Sequence, residues 1–400
     1  MHNNTHGYKW IPYIALAAIA LVFIAVLGLV GVGSSPFAAA GGSARTSSSF
    51  RDISRGVSFD GASGSVFHAY NSDSYAFVTR NGVRFIGSDG EISWQNVFSL
   101  ESAHLYANQE HFIVYEPRGS VAYVFSPSGM MYNRSFDGQI LSVSVNSSGA
   151  SAFIVRAGSV YRIYIFDETG MFPTRTIVHA DDNVFPLSVA VSENGQVAAV
   201  SFLDVGGVTA RSRLVFYFQN ELADLHGDGL FARLQFDDEI VGKLVFFSDN
   251  SLAVVSDRAI RRVSVSDDLV RETAYFPLGN RIQSITRMGG NGLAIALGDG
   301  FVGTDSERAG TVIAFDNNLH ERFRFLPDRN TTYLWANDNA VIVGAGRNIY
   351  GLAARDGRVL WNYHATQDYT QVLMLENRDT ILFAARGETR VMRRVTGFGR

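Results

Sequence analysis

The chain has 400 residues, a net charge of −4 and 46% hydrophobic residues, with only 18% charged; that balance leaves no basic footprint for a nucleic-acid partner. It contains no cysteine, which excludes disulfides, thiolate metal sites and a cysteine nucleophile. Of its 34 basic residues all but Lys9 and Lys243 are arginine, a skew that the codon usage of a GC-rich genome accounts for without invoking a phosphate or carboxylate reader.

Residues 1–10 read as a short cytoplasmic tail. Residues 11–33, opening at Ile11 and closing at Gly33, hold 23 residues without a charge, and about 20 apolar residues suffice for a helix to cross the hydrocarbon core. Pro12 stands in the first turn, where its missing N–H costs nothing. Trp10 and Tyr13 lie where a membrane interface favours aromatic rings, and Lys9 marks the upstream side as cytoplasmic. Ala38 to Ala40 form a small-residue stretch like a cleavage site, but the apolar core is longer than that of a signal peptide. The segment is therefore expected to be an uncleaved signal anchor. Residues 34–49 are rich in Ser, Ala and Gly and read as a flexible tether.

From residue 50 onward the pattern changes to short apolar runs separated by polar turns. Between Ile140 and Ile177 four runs rich in Val, Ile, Phe and Tyr are divided by turns beginning at Asn146, Arg156 and Asp167. Runs of this kind between Gly, Asn, Asp and Ser clusters are strands, and three successive hairpins make a four-stranded antiparallel meander. The first turn of the unit recurs eight times, starting at Asn71, Ala107, Asn146, Ser192, Ser248, Gly289, Asn337 and Glu376, at intervals of roughly 36 to 56 residues. That matches the ~40–50 residues of a four-stranded propeller blade. The third turn recurs as well, near Gly90, Gly129, Gly170, Asn318 and Gly357. The last unit supplies three strands before the chain ends at Arg400, while an unmatched run, FRDISRGVSF, begins at Phe50. We expect this N-terminal strand to complete the final blade and remove the open edge. The expected fold is all-β, an eight-bladed propeller over 50–400 with seven blades as the alternative, preceded by one transmembrane helix.

The stretch from Tyr350 to Trp361, YGLAARDGRVLW, resembles the repeat of quinoprotein-like propellers, with Asp356 and Gly357 at the turn and Trp361 at the closing position; Gly90 to Trp94 is a weaker echo. In that family the Trp packs between blades. The enzymes of the class hold a quinone over calcium and often use vicinal cysteines, which this chain lacks, so the resemblance implies the fold and no cofactor. The layout of one anchor before a divergent propeller is similar to single-pass envelope proteins of Gram-positive bacteria.

Candidate sites are few. Asp224 to Gly229 resembles the opening of a calcium loop, but position 12 is Gln235 and His226 replaces an oxygen ligand, so it reads as a polar turn in the fourth blade and no metal is expected. His68 and His104 fall on innermost strands without a third ligand in recognisable spacing. Neither a nucleophile elbow nor a phosphate loop occurs. The adjacent pairs at Asp181, Asp237 and Asp267 point to opposite sides in extended chain. The glycosylation-like triplets at Asn133, Asn146 and Asn330 read as ordinary turns. The strongest clue is loop length. Connections at 203–212 and 298–310 exceed the usual two to five residues, and with 178–184 and 326–331 they should share one face. That face carries Asp181, Asp182, Asp204, Arg211, Asp299, Asp305, Glu307, Arg308, Asp328 and Arg329. Loops on a rigid scaffold commonly bind, so these ten residues are the expected partner-binding face, with no catalytic residues assigned. The function expected is a membrane-anchored, extracytoplasmic module binding an envelope protein or glycan, with a cell-wall carbohydrate enzyme as the alternative. Neither the partner's identity nor the oligomeric state follows from the sequence.

Overall fold

The computed structural model describes residues 48–53, 57–58, 66–69, 74–108, 110–171, 174–179, 183–219, 229–266, 269–298, 310–375, 379–385 and 388–395. The predicted cytoplasmic tail, membrane span and nearly all of the tether lie outside them. Among the described residues no helix is long and apolar enough to cross a membrane, and every regular element is a strand.

The strands form eight antiparallel sheets. Seven are continuous meanders of four strands, over 66–97, 104–135, 139–179, 184–237, 241–277, 281–325 and 333–364, here called blades 1 to 7. Blade 8 takes Tyr369–Met374, Thr380–Ala385 and Glu388–Arg394 from the C-terminal end. Its outer edge is filled by Phe50–Asp52, with Phe50 opposite Arg394 and Asp52 opposite Met392. Val57–Ser58 extends the same edge, with Val57 opposite Thr389. The expected closure by mixed termini is therefore present, and the seven-bladed alternative is set aside.

What makes a ring from eight sheets is the burial of both faces of each middle strand. Val197–Asp204 in blade 4 is buried at all eight positions. Successive side chains of a strand point to opposite faces. Ala198, Val200 and Phe202 pack on blade 3 with Ile154 and Ile163, whereas Val197 and Ala199 pack on blade 5 with Leu244 and Val254. A strand covered on both faces needs no polar alternation, which is why these runs read as continuously apolar. One hydrophobic cluster fills each of the eight seams, the last joining Tyr75 and Phe77 of blade 1 to Leu373 and Leu382 of blade 8. The outermost strands face water and do alternate, as in Leu269–Pro277.

Trp361 occupies the position that the quinoprotein-like repeat implies. It is 2% exposed between blades 7 and 8, and the ring of Phe50 meets it edge-on at 5.3 Å. Aromatic pairs of this geometry add about 0.5–1.5 kcal/mol beyond their area burial. Trp94 plays the same part between blades 1 and 2, stacked on Phe85 at 5.3 Å and Phe125 at 5.9 Å, with its indole N–H donating to Pro127 O at 2.8 Å.

The third-turn glycines have two reasons to be glycine. Gly170 and Gly357 sit at φ of +77° and +70°, a region costly for side-chain-bearing residues. A Cβ on them would also lie 2.6 Å from Tyr132 and 2.4 Å from Phe323, aromatic residues of the preceding blade. The first-turn residues that mark the repeat stitch neighbouring blades. Asn146 Nδ2 donates to Ser192 O at 2.9 Å, the N–H of Asn194 donates to Asn250 Oδ1 at 2.9 Å, and the N–H of Ser248 donates to Gly290 O at 2.8 Å. Asn146 is wholly buried, which fits the reading of its triplet as a turn.

Candidate functional site

In a four-stranded meander the first and third turns lie at one end of the blade. The second turn and the connection to the next blade lie at the other. At this second end, a cleft of about 510 Å³ opens between blades 7 and 8. It is built by the connection preceding Tyr333–Ala336, the turn at Gly346 and Arg347, and the connection after Val359–His364.

Its floor is aromatic. Tyr333 and Tyr369 meet edge-on at 6.3 Å, and burial raises the hydroxyl pKa of both. Gly344 makes this floor possible, because a Cβ there would lie 2.2 Å from the Tyr369 hydroxyl. Its rim is charged. Arg347 reaches Asp368 at 3.2 Å with 53% and 90% of their side chains exposed, so water screens the pair and it can be exchanged at little cost. Arg329 lines the cleft and is exposed; among the described residues it has no carboxylate partner.

A fixed hydrogen-bond chain shapes one wall. Asp328 accepts from the Tyr350 hydroxyl at 2.9 Å and from Asn348 Nδ2. With Nδ2 so committed, Asn348 presents Oδ1 to His364, whose Nδ1–H donates to it at 2.7 Å. Burial and the adjacent Asp328 carboxylate hold the Tyr350 hydroxyl at about 12, so it remains a donor at any physiological pH.

The channel along the ring axis is closed toward the other end. Glu193, from the first turn of blade 4, takes Asn108 Nδ2 of blade 2 at 3.0 Å, the N–H of Ser147 of blade 3 at 3.0 Å, and the Arg287 guanidinium of blade 6 at 2.6 Å. Burial alone would push the Glu193 carboxyl up, but Arg287 and the Ser147 bonds outweigh it and hold it below its ordinary value. Glycoside hydrolysis requires two carboxylates roughly 5–9 Å apart. Among the described residues Glu193 is the one carboxylate lining the axial cavity, and it is committed to this bridge. Also among the described residues, no three His, Asp or Glu side chains cluster as metal ligands would.

A sequence-family profile matches residues 51–393, from inside the closing strand to inside the last strand of blade 8. The chain belongs to the family of unknown function DUF5711. The family is thus the propeller itself. No curated protein matches. Among solved structures the DUF5711 chain is similar to BamB from Moraxella catarrhalis, at 13% identity and a TM-score of 0.48, covering 88% of this chain and 100% of that one. It is also similar to the WD40 domain of Neurospora crassa Pan2, at 9% identity and a TM-score of 0.47, covering 88% and 98%.

Of the ten residues expected on the binding face, Asp181, Asp182, Asp299, Asp305, Glu307 and Arg308 lie outside the described residues. The other four fall into two separate pairs. Asp204 and Arg211 are cross-strand partners at the tip of blade 4, so the expected long loop over 203–212 is shorter, spanning 205–210. Asp204 is buried, accepts the Gly206 N–H at 3.0 Å and pairs with Arg213. That Gly206 bond and the neighbouring arginines hold its carboxyl below the ordinary range, against burial. Arg211 lies 3.9 Å from Asp237 of the same blade, with both side chains exposed. Asp328 and Arg329 belong to the cleft, three blades away. Loop length missed Arg347, Asp368 and Tyr369, which stand on short connections; arginine also stands in the second turns of blades 1, 2 and 5, at Arg80, Arg118 and Arg258. Glu193 lay inside a recognised turn, but nothing in the sequence pairs it with Arg287, 94 residues on. His104 begins the innermost strand of blade 2 and is exposed beside Tyr115, with ring centroids 6.1 Å apart; the side chain of His68 is outside the described residues.

Proposed function

We propose that this DUF5711 chain is a membrane-tethered scaffold whose propeller stands outside the cytoplasmic membrane and docks an envelope protein at the cleft between blades 7 and 8. The observation that carries the reading is that cleft: an aromatic floor, a loosely paired Arg347 and an Arg329 without a carboxylate partner among the described residues. Aromatic and arginine side chains of this kind are those that anchor protein interfaces. The uncharged stretch at 11–33 supports the tether, and Lys9 supports the orientation. The enzyme alternative draws no support from the cleft, where Asp328 is committed to Tyr350 and Asn348 and Asp368 pairs with Arg347.

The absence of native cysteine makes the test clean. Thr366→Cys, exposed beside the cleft, should react with a membrane-impermeant maleimide on intact cells; labelling only after lysis overturns the orientation. A photo-crosslinking residue at Thr370 should give one defined protein adduct that Arg329→Glu abolishes. The same residue placed at Asn317, on the opposite end, should give none. Equal adducts from both ends would remove the cleft from the proposal.

A further inference from the structure

Lysine is the rare cation of this chain, and the one described lysine faces the axis. Lys243 stands on the innermost strand of blade 5, Val241–Phe246, just after a slip in register against the next strand. It is half-buried. Its ammonium lies 4.7 Å from the ring centroid of Tyr106, which belongs to blade 2 on another side of the channel. Among the described residues no carboxylate pairs with it.

Lys243 lines an axial cavity of about 180 Å³ above the Glu193 bridge. The charges on its walls are Lys243, Arg287 and Glu193. Arg287 and Glu193 neutralise each other, which leaves the cavity one positive charge from Lys243. One further polar group lining the cavity has bonding capacity to spare. Ser144 is 3% exposed, and its oxygen accepts the N–H of Val191 at 3.3 Å, leaving the hydroxyl hydrogen to donate. Buried polar groups normally find partners. The remaining wall includes Val145, Val245, Ile285 and Thr286.

We propose that this cavity binds a small carboxylate, which takes the Lys243 ammonium and the Ser144 O–H. Size limits the ligand severely. The volume is that of about six liquid waters, and drug-sized ligands and large cofactors need about 300 Å³ or more. An α-hydroxy or α-amino acid of about six non-hydrogen atoms fits. This site is separate from the cleft, so its test stands or falls independently of the docking proposal.

The side-chain amines of the whole chain are Lys9 and Lys243, so acylation can be followed at each by peptide mapping of the full chain. Lactate at tenfold its dissociation constant should slow acylation of Lys243 about tenfold, by simple occupancy, and leave Lys9 unchanged. Lactamide, which lacks the charge, should not protect. Propionate, which keeps the charge, should protect as lactate does. The stabilisation of the thermal midpoint by lactate should vanish in Lys243→Met. An unchanged Lys243 rate with lactate, glycine and glycolate alike, an absence of protection by propionate, or equal protection by lactamide overturns the proposal.

Discussion

The two ends of this ring are built differently. At the end carrying the first and third turns, side chains bond the backbone of a neighbouring blade, Asn146 Nδ2 donating to Ser192 O and Asn250 Oδ1 accepting the N–H of Asn194, and Glu193 ties four blades together across the axis. At the other end blades are joined too, by the Arg118 N–H to Ile140 O and the Val241 N–H to Ser212 Oγ, but at the cleft Arg347 and Asp368 meet in water and Arg329 meets no carboxylate among the described residues. Groups already satisfied by the scaffold have nothing to offer a partner, whereas groups left to solvent do. On our proposal the bridge at Glu193 holds the ring and the cleft serves recognition.

The sharpest way to break this contrast is at Glu193. Removing it leaves Arg287, with 19% of its side chain exposed, without its counter-charge. Stranding one member of a buried pair costs about 3 kcal/mol or more, so Glu193→Ala should lower the unfolding free energy measured in urea by that amount. The pH dependence has a definite sign. The Glu193 carboxyl titrates below its ordinary value in the folded chain, so its contribution is complete above the unfolded value of about 4.3 and fades as pH falls through the lower folded value. The stability gap between the wild-type chain and Glu193→Gln should accordingly be widest near neutrality and shrink below about pH 4. Parallel curves for the two would show that the bridge contributes nothing through its charge.

The stitched end was the legible one. Its residues recur with the blade, because every blade must turn after its first strand and lie against its neighbour, so Asn146, Ser192, Ser248 and Asn337 announce themselves by period. The mixed-termini closure was legible for the same reason: three strands at one terminus and one at the other can be completed only by each other. The open end is less regular. Arginine recurs in its second turns, at Arg80, Arg118, Arg258 and Arg347, but the meeting of Arg347 with Asp368 depends on how blades 7 and 8 are set against each other. Glu193 and Arg287 illustrate the limit most plainly. Each sits at the inner end of its own blade, and only closure of the ring brings blades 4 and 6 within 2.6 Å of each other at this point. Long loops at blade 4 drew attention because they are long, yet Asp204 and Arg211 are cross-strand partners within the hairpin.

A smaller effect is expected within the stitching. The Oδ1 of Asn146 accepts the N–H of Ser148 and of Ala150 in its own turn, and its Nδ2 donates to the next blade. Asn146→Asp keeps the acceptor and deletes the donor, and it sets a carboxylate against the Ser192 carbonyl. The loss should be about 2 kcal/mol, the cost of a buried polar group left unsatisfied. Asn146→Ala loses the local bonds too and should be no more stable. An Asp variant as stable as wild type would mean that the marker turn is a local device and that the seams rest on their apolar clusters alone.

The smallest stability effect, and the one that sharpens the comparison most, belongs to Arg329. Its side chain points into the open cleft, so Arg329→Glu should change the unfolding free energy by no more than about 0.5 kcal/mol, as surface substitutions usually do. The same change reverses the charge offered to an acidic partner group, and like-charge juxtaposition at an interface costs several kcal/mol. Capture at Thr370 should then be lost from a chain that folds as well as wild type. The two readouts must separate for the contrast to hold. If Arg329→Glu instead destabilises the ring as Glu193→Ala does, this arginine is part of the scaffold, and the open end is no more available for recognition than the stitched one.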